Sequence, residues 1–288
     1  MMTSALILAG CDLNDDNDDD DDNGNDLTGN SEVYEIHPAE GSDVSGIVAF
    51  EERTDGSTLV TIELDGTDAG AEHPAHIHSN AAVEGGGIVL HFEHVDGSSG
   101  TSETLVSSLE DGTAVSYDDL ISYDGHVMVH LSENELGTIM GRGDIGGNAF
   151  TGESVTYELH EANESGISGE VHFEERNNGN TLATIELSGT PEEGDHPAHI
   201  HDNSVEEGGG IAVPFNNVDG GTGIGRTNIR ADETSVEDLT YTALLDFDGH
   251  VNVHLSDDDF SVIAQGNIGA NDEGEQNNGN GGGNGIEY

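Results

Sequence analysis

EERTDGSTLVTIEL, residues 51–64, reads as strand, turn, strand. From Thr58 onward, Val60, Ile62 and Leu64 alternate with Leu59, Thr61 and Glu63, which is the two-residue period of a half-buried strand. Thr54-Asp55-Gly56-Ser57 supplies turn chemistry between the two runs. The pattern returns as EERNNGNTLATIEL at 174–187. Around it, residues 32–78 align without gaps on 155–201, an offset of 123, with 27 of 47 positions identical. HPAHIH recurs intact at 73–78 and 196–201, and YDGHVMVHLS (123–132) is matched by FDGHVNVHLS (247–256). The body of the chain is therefore one module written twice, over 32–148 and 155–270. The short connection near Phe150 to Ser154 predicts two modules side by side.

Within the first module the alternation predicts strands near 33–37, 46–52, 58–64, 75–78, 88–93, 126–131 and 137–145. A helical turn is expected only around Ser116–Ser122. Short strands separated by Gly/Asp/Ser turns predict an all-β fold: two tandem antiparallel β-sandwich or Greek-key modules.

Composition narrows the function. The 288 residues carry 60 acidic side chains against 5 arginines and no lysine, a formal net charge of −55. Such a field repels phosphate backbones and excludes a nucleic-acid partner. Anionic membrane surfaces are disfavoured for the same reason. Carboxylates spread along the whole chain read as adaptation to high salt, where screening removes the self-repulsion.

The two ends differ from the body. In residues 1–11, Leu8-Ala9-Gly10-Cys11 resembles a bacterial lipobox, and Cys11 is the only cysteine. The resemblance implies a lipoprotein signal segment, with Cys11 as the lipidated residue after cleavage. The membrane would then be reached through lipid alone, with the protein at the cell envelope on its periplasmic or extracellular face. Residues 12–31 are Asp-rich and predict a disordered, self-repelling tether. Asp19, Asp21, Asn23 and Gly24 match the start of a calcium loop, but Asn30 stands where a bidentate Glu is required, so weak calcium association is the most the tether supports. The Gly/Asn-rich stretch 271–288 predicts a disordered tail.

The HIH strand, the turn and strand Gly85-Gly86-Gly87-Ile88-Val89-Leu90, and the later G-H-V-x-V-H strand resemble the CHRD domain. This module takes its name from chordin and occurs widely in bacterial secreted proteins. The resemblance covers each repeat nearly end to end and implies architecture more than activity. With no defined activity to carry over, the reading for the whole chain is a non-enzymatic binding or scaffolding role at the cell envelope, with the ligand unspecified. One departure is that HIH continues as Ser79-Asn80 and Asp202-Asn203, where the family has x-G.

Fifteen histidines in a chain without lysine are the chemical signal. His76 and His78 flank Ile77, and His126 and His130 flank Val127-Met128-Val129. His199, His201, His250 and His254 repeat the set in the second module. Alternation places the isoleucines and valines on the core face and the histidines opposite. If the two strands are neighbours, the rings converge on a transition-metal site suited to Cu(II) or Zn(II). His73 and His196, each before a proline, are candidates for a further ligand or a supporting donor. The alternative is that the rings simply hydrogen-bond across strands. His37 and His160, equivalent positions outside the paired sets, read as structural hydrogen-bonding residues, and His91 and His94 as ordinary exposed ones. The H-x-H strand also resembles the copper half of the copper/zinc superoxide dismutases, which makes a copper redox enzyme one alternative. Metal sequestration or delivery is another.

Overall fold

The computed structural model describes residues 26–232, 234, 236 and 238–272. Cys11, most of the tether and nearly all of the tail lie outside the described residues. Strand makes up 52% and helix 5%, so the all-β expectation holds. In module 1 the strands are β1 (Leu27–Pro38), β2 (Ser45–Arg53), β3 (Thr58–Asp65), β4 (Glu72–His73), β5 (Ala75–Ser79), β6 (Ile88–His91), β7 (Val95–Asp96), β8 (Thr101–Val106), β9 (Gly125–His130) and β10 (Ile139–Ile145). Module 2 repeats them as β11 (Phe150–Glu161), β12 (Ser168–Arg176), β13 (Thr181–Ser188), β14 (Asp195–His196), β15 (Ala198–Asp202), β16 (Ile211–Pro214), β17 (Val218–Asp219), β18 (Ile224–Ile229), β19 (Asp248–His254) and β20 (Val262–Gly269).

In module 1 all ten strands form one sheet, in the order β4-β7-β8-β3-β2-β1-β10-β9-β5-β6. Every strand pair is antiparallel. Strand β4 opens this order and β5 stands near its far end, yet only Pro74 separates them in sequence. Proline has no amide hydrogen to give to a ladder, so the chain changes partners there. One short segment thereby ties the two ends of the sheet together, and the sheet must curl. In module 2, Pro197 separates β14, which pairs with β17 in a two-stranded sheet of its own, from β15 in an eight-stranded sheet ordered β16-β15-β19-β20-β11-β12-β13-β18. The large sheets are a nearly closed barrel and a half-barrel.

Each module has its own buried core. Ile36, Val48, Phe50, Val60, Ile62, Ile77 and Val127 belong to the first. Leu159, Val171, Phe173, Ile185, Ile200 and Val251 belong to the second. The expected helical turn is present as α1 (Tyr117–Ile121), capped by Ser116 and matched by α2 (Tyr241–Leu245).

Three expectations need correction. The tether boundary at residue 31 is too late, because β1 begins at Leu27, which pairs with Arg53. Likewise the 150–154 connection is no linker, since Phe150 opens β11 and pairs with Arg176. In both places a glycine with positive φ, Gly29 at 94° and Gly152 at 92°, interrupts the register inside a strand. Read in sequence alone, such a glycine resembles a turn, whereas here it makes a bulge. Strand β8 escapes the periodicity because its pattern is inverted: Ser102 is buried while Leu105 is 61% exposed.

With no linker, the modules dock directly. Arg176 is 1% exposed and its Nη1 lies 2.8 Å from Asp144 Oδ2 of module 1. The same nitrogen donates to the Asn148 carbonyl, and the guanidinium sits 4.6 Å from the Phe150 ring centre. Asn177 N and Asn178 N donate to Ala149 O and Gly147 O at 2.9 and 2.8 Å. Farther along the junction, Arg230 Nε donates to Glu84 Oε1 at 2.8 Å.

Candidate metal centre

The antiparallel β5–β9 pair sets the site. Ala75 lies opposite Val129 and Ile77 opposite Val127, and these four fill the core. The pleat turns their neighbours to the other face, where His76 lies opposite Met128 and His78 opposite His126. Module 2 repeats this register, with His199 opposite Asn252 and His201 opposite His250. The expected strand adjacency is therefore present in both modules.

The face opposite the core is not a solvent face. His76 is 5% and His78 8% exposed, and His126 and His130 are buried. One ligand nitrogen from each of His76, His78 and His130 falls within 4.8 Å of the other two. The same holds for His199, His201 and His254. Ring centres lie 5.0–5.9 Å apart in the first triad and 5.2–6.2 Å apart in the second. These clusters could hold a metal ion.

The tautomers suit a ligand role. His78 Nδ1–H donates to Gly86 O at 3.0 Å, His201 to Gly209 O at 3.1 Å and His254 to Phe260 O at 2.9 Å. A neutral ring that donates through Nδ1 presents the lone pair of Nε2. Those Nε2 atoms, together with His76 Nδ1, His130 Nε2 and His199 Nδ1, are buried without a hydrogen-bond partner. Hydrogen bonding therefore accounts for at most one nitrogen of each triad ring. Leaving so many buried acceptors unpaired is costly.

Burial also disfavours the protonated form of His76 and several of its neighbours. Desolvation, reinforced by His130, His91, His78 and His94, pushes the His76 pKa down to about 4. Burial lowers those of His126, His130, His199, His250 and His254 as well.

The other candidates take supporting positions. His126 and His250 stack on His78 and His201, with ring centres 5.3 and 5.2 Å apart, but stand outside the triads. Their Nδ1–H groups donate to Asn80 O at 2.8 Å and Asn203 O at 2.7 Å. In module 2, Asn252 also donates to His250 Nε2 at 3.3 Å, which engages that lone pair. His73 and His196 are also outside the triads. Nδ1 of His73 bridges the carbonyls of His130 and Leu131 at 3.2 and 3.1 Å, and that of His196 bridges those of His254 and Leu255. Both thereby pin the backbone of the third triad member. His91 is more than a surface residue, because its ring packs edge-on against His76 with centres 4.6 Å apart. Pro214 replaces it in module 2.

The supporting carbonyls of Asn80 and Asn203 were not legible as site elements. Both residues have positive φ, 66° and 64°, a conformation asparagine tolerates better than most residues. The Ser-Asn and Asp-Asn steps after HIH were the only trace of it. A scan against protein-family models and a search of curated proteins both return no match.

Proposed function

We propose that the chain is a lipid-anchored envelope protein whose two CHRD-like modules each bind one transition-metal ion, Cu(II) or Zn(II), in a non-enzymatic holding role. The observation that carries this reading is the convergence, twice in one chain, of three buried ring nitrogens that have no other partner. Neutral imidazole suits copper and zinc, and carboxylate or carbonyl sites suit calcium. A holding role fits the charge better than dismutation does, since a surface at −55 repels superoxide.

Wild-type protein at neutral pH is expected to retain two Cu(II) or Zn(II) per chain after desalting. His76→Ala combined with His78→Ala should reduce this to one, and deletion of residues 12–25 should leave it at two. These rings are buried rather than solvent-facing, so the double variant will also lose stability. The second module's site supplies the internal reference. Absence of bound copper or zinc at neutral pH would overturn the metal reading.

The anchor rests on the lipobox-like run before the sole cysteine. Cys11→Ser, expressed behind a complete signal sequence, should move the protein from the detergent phase to the soluble fraction. Unchanged partitioning would show that Cys11 carries no lipid.

A further inference from the structure

The two triads share their histidines but not their surroundings. His76 and His78 are buried, whereas the matching His199 and His201 are only partly so. In both modules the loop after the HIH strand braces the rings from behind. Gly86 O and Asn80 O hold His78 and His126, and Gly209 O and Asn203 O hold His201 and His250.

What holds the loop differs. In module 1 its outer side is fastened to module 2. Glu84 accepts from Arg230 Nε at 2.8 Å and from Asn228 Nδ2 at 3.1 Å. Arg230 Nη2 also donates to Asn80 Oδ1 at 3.3 Å, so the residue whose carbonyl supports His126 is itself gripped. Asp144 accepts from Ala82 N in mid-loop at 2.7 Å through one oxygen, and from Arg176 at 2.8 Å through the other. In module 2 the counterpart of Asp144 is Asn267. It accepts from Val205 N at 2.8 Å but is neutral. The counterpart of Glu84 is Glu207, which hydrogen-bonds to Ser204 of its own loop.

We infer that the two sites exchange metal at different rates: module 1 retains its ion behind the loop 79–87, which module 2 holds down, and module 2 exchanges its ion with solvent. The inference rests on the triads binding metal. For an ion to leave, a ligand ring must swing away and water must take its place. His78 cannot swing without displacing Gly86, and the loop cannot move without breaking the bonds of Glu84 and Asn80 to the second module and that of Ala82 N to Asp144, which Arg176 holds from the other side. His201 has the same local brace, on a loop that has no hydrogen bond to module 1 among the described residues. Closed sites are the retaining kind and sites with an accessible position are the reactive kind. Partners one layer beyond the ligands commonly change metal affinity by roughly 10–100-fold.

The test is release kinetics from the full chain loaded with Zn(II), followed after addition of excess chromogenic chelator. Two phases of equal amplitude are expected, the slow one at least about tenfold slower. His199→Ala with His201→Ala should abolish the fast phase, and His76→Ala with His78→Ala the slow one. Glu84→Gln, and separately Arg230→Gln from the other side of the contact, should speed the slow phase by roughly 10–100-fold and leave the fast phase alone. Glu207→Gln should change neither. A single phase carrying both ions overturns the inference, as does a slow phase indifferent to both Glu84→Gln and Arg230→Gln. A protein that loads no zinc is recognised before chelator is added, and it overturns the site reading and this inference together.

Discussion

Asp144→Ala is expected to destabilise the protein by about 3–5 kcal/mol, the cost typical of removing one partner from a buried ion pair. The change leaves the Arg176 guanidinium inside the junction, 1% exposed, without its counter-charge. It also strips Ala82 N of its acceptor. Asp144→Asn should recover only the second of these losses, since Asn267 shows that an amide oxygen can cap the equivalent loop. Because each module has a separate core, urea unfolding of the alanine variant should resolve into two transitions as the modules lose their coupling. Replacing both partners, Asp144→Ala with Arg176→Met, should restore much of the loss by removing the unpaired charge. A single variant that unfolds within 1 kcal/mol of wild type, in one transition, would show that the pair does not join the modules.

The metal-free protein should lose stability steeply as pH falls from about 6.5 to about 4. His76 has its pKa pushed down to about 4, so within that window the unfolded chain binds a proton that the folded one refuses. The stabilisation is complete above the unfolded pKa and is lost as pH falls through the folded one. For His76 alone this is on the order of 3 kcal/mol. His126, His130, His199, His250 and His254 act with the same sign, because burial lowers each of them. Carboxylate protonation over the lower part of the range relieves self-repulsion and works the other way. The informative quantity is therefore the difference between wild type and His76→Gln: the melting temperature of the variant should fall less steeply. Bound Zn(II) should move the wild-type loss to lower pH, since ion and protons compete for the same nitrogens. Equal slopes for wild type and variant would show that the His76 ring is not held neutral by the fold.

The fold was legible because its signals are local and occur twice. Alternation in 58–64 and 181–187 specifies a strand and the face it buries, and repetition of HPAHIH and G-H-V-x-V-H marks two equivalent modules. Where the signal was local but ambiguous, the reading failed. TGNS and TGES look like turns, and only the pairing of Leu27 with Arg53 and of Phe150 with Arg176 shows them to be bulged strand. Strand β8 hid for a related reason: its one large apolar pair is split between the two faces, and its other inward positions are Thr104 and Ser102.

The candidate ligands were legible as residue types, because H-x-H on a strand must place both rings on one face. Which histidines form the triad depends on how β5 and β9 are offset. His126 and His130 sit four apart on one strand, yet only His130 reaches both rings of β5 with a free nitrogen. The burial of that face, the carbonyls that fix the tautomers and the grip of Arg176 and Arg230 on module 1 were all undetectable in sequence. The two EER arginines are indistinguishable in sequence. Arg53 and Arg176 occupy the same position in the repeat, but Arg53 lies 4.0 Å from Asp55 within its own turn, while Arg176 pairs with Asp144 of the other module. Periodicity determines which face of a strand a residue takes. What lies against that face is decided by residues tens of positions away, and only the folded arrangement of the two modules brings them together.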